Sequence, residues 1–382
     1  MYLKTVKREK SLKKNSYKEG KATVYFDKEV FLNPHARLSR ELSVAVVKAV
    51  GKKGMRLADP TAATGIRGIR YALETPVKDI TLVDINRQAY LAARRNAKAN
   101  GISCKIINDD IQHFCNVSKE HFDIIDLDPF GGVTPYVHDI LRMCRDGTYF
   151  FATATDTAVL CGSKKSACIR LYDAVPMHNH LCHEGGIRIL LGYIARHAAA
   201  YGFGIEPLLS VTYRTYMRVF TKLYHGSEKA TAAIKNLGYA YYCQNCGLTR
   251  TSMTEFPDML ECPACGSRLI ISGKMWLGRL FDENVRDKSL SNINDSGLDG
   301  ENRRLISLMK EELDIPMYYH VPTITKMLGI GSVSPHEVVK WLHAHGFKAS
   351  LTHIHDSSVK SDCTIEDMKR CITSISKSAM RR

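Results

Sequence analysis

Short apolar runs alternate with amphipathic stretches through the first half of this chain. Residues 55–59, 79–84, 104–107, 122–128 and 148–153 read as strands, and residues 68–74 and 87–100 as helices, the second ended by Gly101. The strand runs are short and almost continuously apolar, as expected where helices cover both faces of a sheet. Strands alternating with helices over about 120 residues imply βαβ units, so the pattern predicts an α/β fold around a largely parallel sheet. Tyr213, Tyr216 and Phe220 alternate with Arg214 and Arg218 along a further strand, the aromatic face being read as core. Ahead of the alternating region, residues 1–28 are polar and basic and are expected to form a partly disordered arm, followed by a short apolar segment at 30–32. Beyond about residue 223 the pattern changes. A Cys-paired segment spans 239–272, and a polar hinge rich in Asn, Asp, Ser and Gly lies near 289–300. Residues 301–312, 323–328 and 335–346 then read as three short helices, with Val338, Leu342 and His345 sharing one face of the last. That arrangement is winged-helix-like, a fold that serves nucleic-acid binding and protein docking alike.

With 382 residues, the chain is long enough for two or three domains at about 150 residues each. Hydrophobic residues at 45% and charged residues at 24% are ordinary for a globular protein and exclude a mostly disordered one. The longest apolar stretch, residues 187–203, is interrupted by Arg188, Arg196 and His197, so no transmembrane helix is expected. The basic N-terminus is followed by no apolar region, which argues against a secretory signal and for a cytoplasmic protein. The 12 Cys are then expected as thiols or metal ligands rather than as a disulfide framework. Cys104, Cys115, Cys144, Cys161 and Cys168 read as small buried hydrophobes.

Charge narrows the class of partner. The net charge is +15, and residues 1–21 contribute eight Lys/Arg against two Glu. Residues 369–382 add five Lys/Arg and no acid, so +11 of the total sits in two terminal segments. Such localisation favours a polyanion, nucleic acid being the commonest, although solvated tails would read the same way.

The chemistry gathers at the predicted strand ends. Residues 59–68 (DPTAATGIRG) join the first strand to the first helix, and Gly65 lets backbone approach a ligand closely. The segment lacks GxGxxG, so a dinucleotide fits poorly. Asp84 ends the second strand, where a carboxylate can accept both hydroxyls of a ribose. Asp110, with Asp109, closes the third and can hold an adenine amino group. The fourth ends in Asp128-Pro129-Phe130-Gly131. There a carboxylate and the Pro129 carbonyl offer two acceptors for the N–H groups of an exocyclic aromatic amine, with Phe130 as a stacking face.

Taken together, these segments resemble the class I S-adenosylmethionine-dependent methyltransferases, whose Rossmann-like fold is therefore expected here. More closely, the chain is similar to the tRNA guanosine-26 N2-dimethyltransferases. The matching segments are residues 30–34 and 38–41, 63–74, 128–131, 216–220, 276–278, and 346–347 with 352–353. The resemblance implies S-adenosylmethionine as cofactor and tRNA as substrate. It assigns Arg40 to the methionine carboxylate, Asp59, Gly65, Arg67 and Asp84 to the cofactor, and Asp110 to its adenine. Asp128 with Pro129 would be the catalytic acceptor, and Phe31 and Phe130 would sandwich the guanine. Leu32, Ser39 and Glu41 depart from the Tyr, Asn and Asp of the family pattern, which touches how guanine is seated near Leu32.

Cys243-x2-Cys246 and Cys262-x2-Cys265 are separated by fifteen residues, and Gly247 and Gly266 follow the two knuckles. Four thiolates at this spacing predict one structural, tetrahedral zinc ion. His178, His180, Cys182 and His183 also crowd together, but their alternation does not present four groups on one side. They are read as a polar lip near the active site rather than as a second metal centre. The expectation is thus a monomeric enzyme with a methyltransferase domain over residues 1–230 and an α+β, tRNA-binding domain over 231–382 containing a zinc ribbon and a winged-helix-like region. Two rivals are a DNA amino-methyltransferase, whose fourth motif carries a second proline before the aromatic, and a non-enzymatic zinc-ribbon transcription factor.

Overall fold

The computed structural model describes residues 15–293 and 298–379. A hairpin, β1 (Asn15–Glu19) and β2 (Ala22–Phe26), precedes α1 (Arg37–Val50). The alternating region follows as β3 (Arg56–Asp59), α2 (Ile66–Glu74), β4 (Asp79–Val83), α3 (Arg87–Ala99), β5 (Lys105–Ile107), α4 (Ile111–Val117), β6 (Ile124–Leu127), α5 (Val137–Met143) and β7 (Tyr149–Ala154). Then come α6 (Thr157–Leu160), α7 (Lys165–Tyr172), α8 (Cys182–Ala200), β8 (Phe203–Tyr213), β9 (Tyr216–His225) and α9 (Ser227–Ile234).

One seven-stranded sheet runs in the order β5-β4-β3-β6-β7-β9-β8. The strands from β5 to β7 are parallel, and β9 and β8 close that edge antiparallel. From β3 the chain steps outward to β4 and β5, then returns to the other side of β3 as β6. That reversal leaves a crevice above the carboxyl ends of β3 and β6, the place where open α/β sheets bind ligands. All four residues of β6 are buried, which is why its sequence reads as an apolar run despite Asp126.

Residues 15–26 do not belong to a disordered arm. Ala22 and Val24 are fully buried against Ile66 and Ile69, and α3 completes the hairpin edge: the Tyr25 and Thr23 amides donate to Asn96 Oδ1 and Asn100 Oδ1 at 2.8 and 2.9 Å. The basic side chains of the segment masked its period-two alternation. Residues 1–14 of the expected arm lie outside the described residues. Tyr213 and Tyr216 are core, as expected, but in two strands: they flank the turn of the β8–β9 hairpin, where Arg214 takes φ +49°.

The C-terminal elements are β10 (Leu237–Tyr242), β11 (Thr249–Ser252), β12 (Ile270–Trp276), α10 (Glu283–Ser291), α11 (Gly300–Glu311), β13 (Tyr319–His320), α12 (Val321–Met327), α13 (Pro335–Ala344), β14 (Ala349–Leu351), β15 (Ser358–Ser361) and α14 (Ile365–Ala379). Strands β11-β10-β12 carry the cysteine knuckles, and β13-β15-β14 join α11 to α13 in the winged-helix-like arrangement. The main core continues past residue 230 through Leu237, Met275, Trp276, Met309 and Met317. A separate core joins Tyr241 and Leu248 of the ribbon to Val321, Val338, Leu342 and Met368.

Residues 369–379 of the basic C-terminal segment belong to α14, and residues 380–382 lie outside the described residues. Within α14, Ile365, Met368, Cys371 and Ile372 recur at helical spacing and are buried. The charge count concealed that apolar stripe. Among the described residues no helix is long and apolar enough to cross a membrane.

Candidate active site and metal centre

A cavity of about 380 Å³ opens above the switch point, within the ~300–1,000 Å³ of small-molecule sites. It is lined by Arg40, Asp59, Arg67, Asp84, Asp110, Asp128, Pro129, Phe130 and Phe31 among others, so the strand-end acids read from the sequence do meet in one place. Gly65 stands just behind the lining at φ +78°, and a Cβ there would lie 3.2 Å from the Ala93 Cβ. The positive φ favours glycine, and the tight 3.2 Å contact adds to that preference.

Asp84 shapes the first loop. Its Oδ2 accepts from the Ala63 amide at 2.7 Å and its Oδ1 from the Asn86 amide at 2.8 Å. The first bond helps hold Ala63 at φ +47°. Each oxygen keeps a lone pair for a ribose hydroxyl. Asp110 caps α4, its Oδ1 accepting from the Gln112 and His113 amides at 2.8 and 3.2 Å, which leaves Oδ2 to a ligand amine. Ile85, beside Asp84 and 69% exposed, offers a flat apolar wall for a purine. Sequence reading missed it because a lone apolar residue in a loop carries no signal.

Three further lining residues hold buried oxygens without a partner among the described residues: Ser39 Oγ, Thr64 Oγ1 and the Tyr216 hydroxyl. Buried polar atoms are normally satisfied, so these mark where ligand polar groups belong. A molecule with a ribose, a purine amine and a polar amino-acid end, such as S-adenosylmethionine, fits this donor set.

Beneath the cavity lies a buried charge network. Asp126 accepts from Arg218 Nη2 through both oxygens at 2.8 Å and from the Tyr71 hydroxyl. Arg67, rather than reaching openly into the cavity, spends its guanidinium on Asp128, on Ser43 Oγ at 2.9 Å and on Asp126 at 3.4 Å. Burial pulls the Asp126 carboxyl up, but Arg218 and Arg67 hold it below the usual range. Asp59 is left over: burial, then the neighbouring Asp126, push it up to about 7, with Arg67 only partly offsetting. The alternation that sets Asp126 two residues before Asp128 was the available sign of this network, but its partner Arg218 lies 92 positions away.

Arg40 forms a second network. Its Nε and Nη2 engage Glu19 at 2.8 and 2.6 Å, and Nη1 donates to the Asn33 carbonyl at 3.0 Å. Only its remaining N–H groups can face the cavity. Glu19 comes from the β1–β2 hairpin, so the N-terminal hairpin supports the site.

At the mouth, Phe31 and Phe130 are 53% and 76% exposed, with ring centroids 4.6 Å apart and planes at 78°. Two such exposed rings edge to face leave no gap for a base. Stacking one between them needs about 7–8 Å, twice a van der Waals contact, so the pair must part.

The four predicted ligand cysteines come together. Cys243 and Cys265, and Cys246 and Cys262, have sulfurs 3.5 Å apart, and all four lie within 4.8 Å of one another. Each knuckle closes as the glycines require: the Gly247 amide donates to Cys243 O at 2.9 Å at φ +79°, and Gly266 to Cys262 O at 2.8 Å at φ +70°. Four converging thiols with satisfied turns fit a structural zinc ion. The segment 178–183 does not line the cavity. It packs where the C-terminal region docks, which corrects its reading as an active-site lip.

Residues 11–373 match the N2,N2-dimethylguanosine tRNA methyltransferase family. The chain is 36% identical over 359 residues to the tRNA (guanine(26)-N(2))-dimethyltransferase of Thermococcus kodakarensis, covering 90% of this chain and 92% of that one. It is 33% identical over 364 residues to the enzyme of that name from Pyrococcus abyssi, covering 91% and 93%. A solved Pyrococcus horikoshii structure, a complex with S-adenosyl-L-methionine, superposes with a TM-score of 0.85 at 32% identity over 94% of this chain and 99% of that one. With its sheet order, strand-end acids and paired phenylalanines in place, this chain belongs to the N2,N2-dimethylguanosine tRNA methyltransferase family.

Proposed function

We propose that this protein transfers methyl groups from S-adenosylmethionine to the exocyclic N2 of guanosine-26 in tRNA, with Asp128 as the acceptor that activates the amine. The observation that carries this reading is the placement of Asp128, Pro129 and Phe130 at the end of β6, between the nucleoside-shaped cavity and the exposed Phe31.

S-adenosylmethionine, when bound, supplies an electrophilic methyl whose thioether leaving group needs no acid. Asp84 would hold its ribose, Asp110 and Ile85 its purine, and Arg40 with Ser39 its amino-acid end, Gly65 admitting close backbone contact. Asp59, whose carboxyl burial pushes up to about 7, would donate or accept at the same end.

Guanine N2 is a poor nucleophile because its lone pair is delocalised into the ring. Asp128 Oδ1 and the Pro129 carbonyl accept hydrogen bonds from its two N–H groups and localise that lone pair, Asp128 taking up the proton that the nitrogen sheds as its bond to the methyl forms, while Arg67 fixes the other Asp128 oxygen. Phe31 and Phe130 separate to stack the base, offsetting the few kcal/mol of unstacking it from the tRNA. Holding the amine in line at contact distance supplies most of the acceleration.

Residues 231–382, with the zinc ribbon and the winged-helix-like region, are the proposed tRNA-binding domain, joined to a methyltransferase domain over 1–230. The enzyme acts, on this reading, as a monomer in the cytoplasm, where its substrate resides. Unmodified tRNA transcript incubated with enzyme and labelled cofactor should yield N2-methylguanosine and N2,N2-dimethylguanosine at position 26 by nucleoside mass spectrometry. Label in DNA but not in tRNA would refute the reading.

A further inference from the structure

Away from the cavity, Cys161 caps the end of α6, and Cys182 and His183 open α8. Two sulfurs and one imidazole nitrogen from these residues all lie within 4.8 Å of one another. Cys161 Sγ is 3.7 Å from His183 Nδ1. On a tetrahedral zinc ion, with sulfur at ~2.3 Å and nitrogen at ~2.0–2.1 Å, two such ligands stand about 3.6 Å apart. The separation matches, just as the 3.5 Å sulfur pairs do in the four-cysteine centre. Two thiolates and an imidazole suit a borderline-soft ion.

We propose that Cys161, Cys182 and His183 bind a second zinc ion, with three protein ligands and a fourth position taken by water. Spacing alone argues against a site here because residues 178–183 cannot turn four groups to one side, and that remains true. His178 Nδ1 lies 3.2 Å from the Cys161 carbonyl, and the His180 ring stacks on His320 at 4.8 Å and 20°. Neither is a ligand. The third donor is instead Cys161, 21 residues upstream on another helix, which no spacing rule links to the cluster.

The location gives such an ion a structural task. The segment between α7 and α8 is where the C-terminal region docks: Val175 exchanges backbone bonds with Gly273 at 2.6 and 2.9 Å, and the Tyr318 hydroxyl donates to His180 O. The Met317 amide donates to Glu184 Oε1 at 2.7 Å. An ion bridging α6 to the first turn of α8 fixes the end of that segment, hence the seat of the C-terminal region, without touching the methyl-transfer site.

Metal counting on the full chain tests this, under a phosphine reductant that keeps the thiols reduced. Titrated with cobalt(II) and weighed by native mass spectrometry, the wild type should hold two equivalents. Cys161→Ala with Cys182→Ala, and separately the milder His183→Ala, should each hold one and keep the strong thiolate charge-transfer band of the four-cysteine centre. Cys243→Ser with Cys262→Ser should keep one equivalent with a weaker band, because only two thiolates remain. A wild type saturating at one equivalent overturns the proposal, as does a His183→Ala protein that still holds two. A Cys161–Cys182 disulfide found by peptide mapping of the reduced wild type would also overturn it.

Discussion

Arg67 lays its guanidinium against the carboxylate of Asp128 and, through the same group, reaches Asp126 at 3.4 Å. The residue proposed to accept the guanine amine is therefore held from below by a cation that is itself anchored to a buried acid. Replacing Arg67 with Met leaves Asp126 with Arg218 as its cation and takes away the guanidinium that holds Asp128. Breaking a buried pair in this way costs roughly 3–5 kcal/mol, which a urea titration will report. Loss of the cation also frees the Asp128 carboxylate that Arg67 holds, so turnover should fall while cofactor affinity stays within a few-fold of wild type. Arg67→Lys keeps the charge but not the fork, and should restore stability better than the turnover number. A Met variant that is merely less stable, with its turnover number unchanged, would show that Arg67 has no part in positioning Asp128.

Asp128 and Asp84 should separate by phenotype. Asp84 organises the backbone of the cofactor loop through Ala63 and Asn86, whereas Asp128 stands at the mouth beside Phe130. Asp128→Ala is expected to lower turnover by at least 100-fold, about 2.7 kcal/mol at 1.36 kcal/mol per tenfold, with cofactor affinity within a few-fold of wild type. Asp84→Ala should instead lose cofactor affinity by tenfold or more. Calorimetric titration with S-adenosylhomocysteine decides between the two, and equal losses of affinity would contradict this division of labour.

Asp59 sets a pH dependence whose sign follows from its environment. Its carboxyl rises from an ordinary 3.8 to about 7 because it is buried beside Asp126. A group raised on folding contributes full stability below its unfolded value and loses that contribution as pH climbs through the folded one. The wild type should therefore lose stability relative to Asp59→Asn between pH 4 and 7, by about 1.4 kcal/mol per pH unit at most. Chemical unfolding of both proteins at pH 5 and pH 8 measures the difference, and a constant gap would mean that Asp59 stays ionised throughout.

Removing the four-cysteine zinc should unfold a part of the protein rather than the whole. Cys243, Cys246 and Cys262 belong to the core that also holds Val338, Leu342 and Met368, while the sheet has a core of its own. Cys243→Ser with Cys262→Ser is expected to lose that metal ion and to expose the winged-helix-like region to protease, because metal binding and folding are coupled. Cofactor binding should persist. Elemental analysis and limited proteolysis check the two halves of this expectation, and a variant that lacks this ion yet resists protease would make the ion dispensable.

What was legible in the sequence was what local pattern encodes. The parallel strands were visible because strands covered on both faces are apolar throughout, and Asp59, Asp84 and Asp128 were visible because each ends such a run. The cysteine knuckles carry their own spacing. Illegible were partnerships made only by the fold: Arg218 with Asp126, Arg40 with Glu19, Cys161 with His183. Charge also misled. Residues 15–26 hide a period-two apolar face beside Lys18 and Lys21, and α14 hides a helical stripe beside Lys369, Arg370 and Lys377, and counting charge made both segments look like solvated arms.

The burial of α14 changes how tRNA binding must be tested. Deleting residues 369–382 would remove Cys371 and Ile372, both fully buried, and would destabilise the winged-helix-like region instead of reporting on phosphate binding. Neutralising exposed charge avoids this. Arg370 and Lys377 are exposed on α14, and among the described residues Arg370 pairs only with Asp367 of its own helix, at 3.0 Å. At the other end, residues 1–14 carry six Lys/Arg and one Glu and can be removed without touching the β1–β2 hairpin. For every phosphate no longer gripped, the slope of log affinity against log salt should flatten by about 0.7–0.9. The 1–14 deletion, and separately Arg370→Gln with Lys377→Gln, should each weaken tRNA binding and lower that slope, with turnover at saturating tRNA unchanged because no cavity residue is altered. Filter binding at several salt concentrations measures both. Unchanged slopes in both variants would move the phosphate-binding role to the rest of the chain, where the remaining net charge is +8 and would have to be concentrated on one face to do the same work.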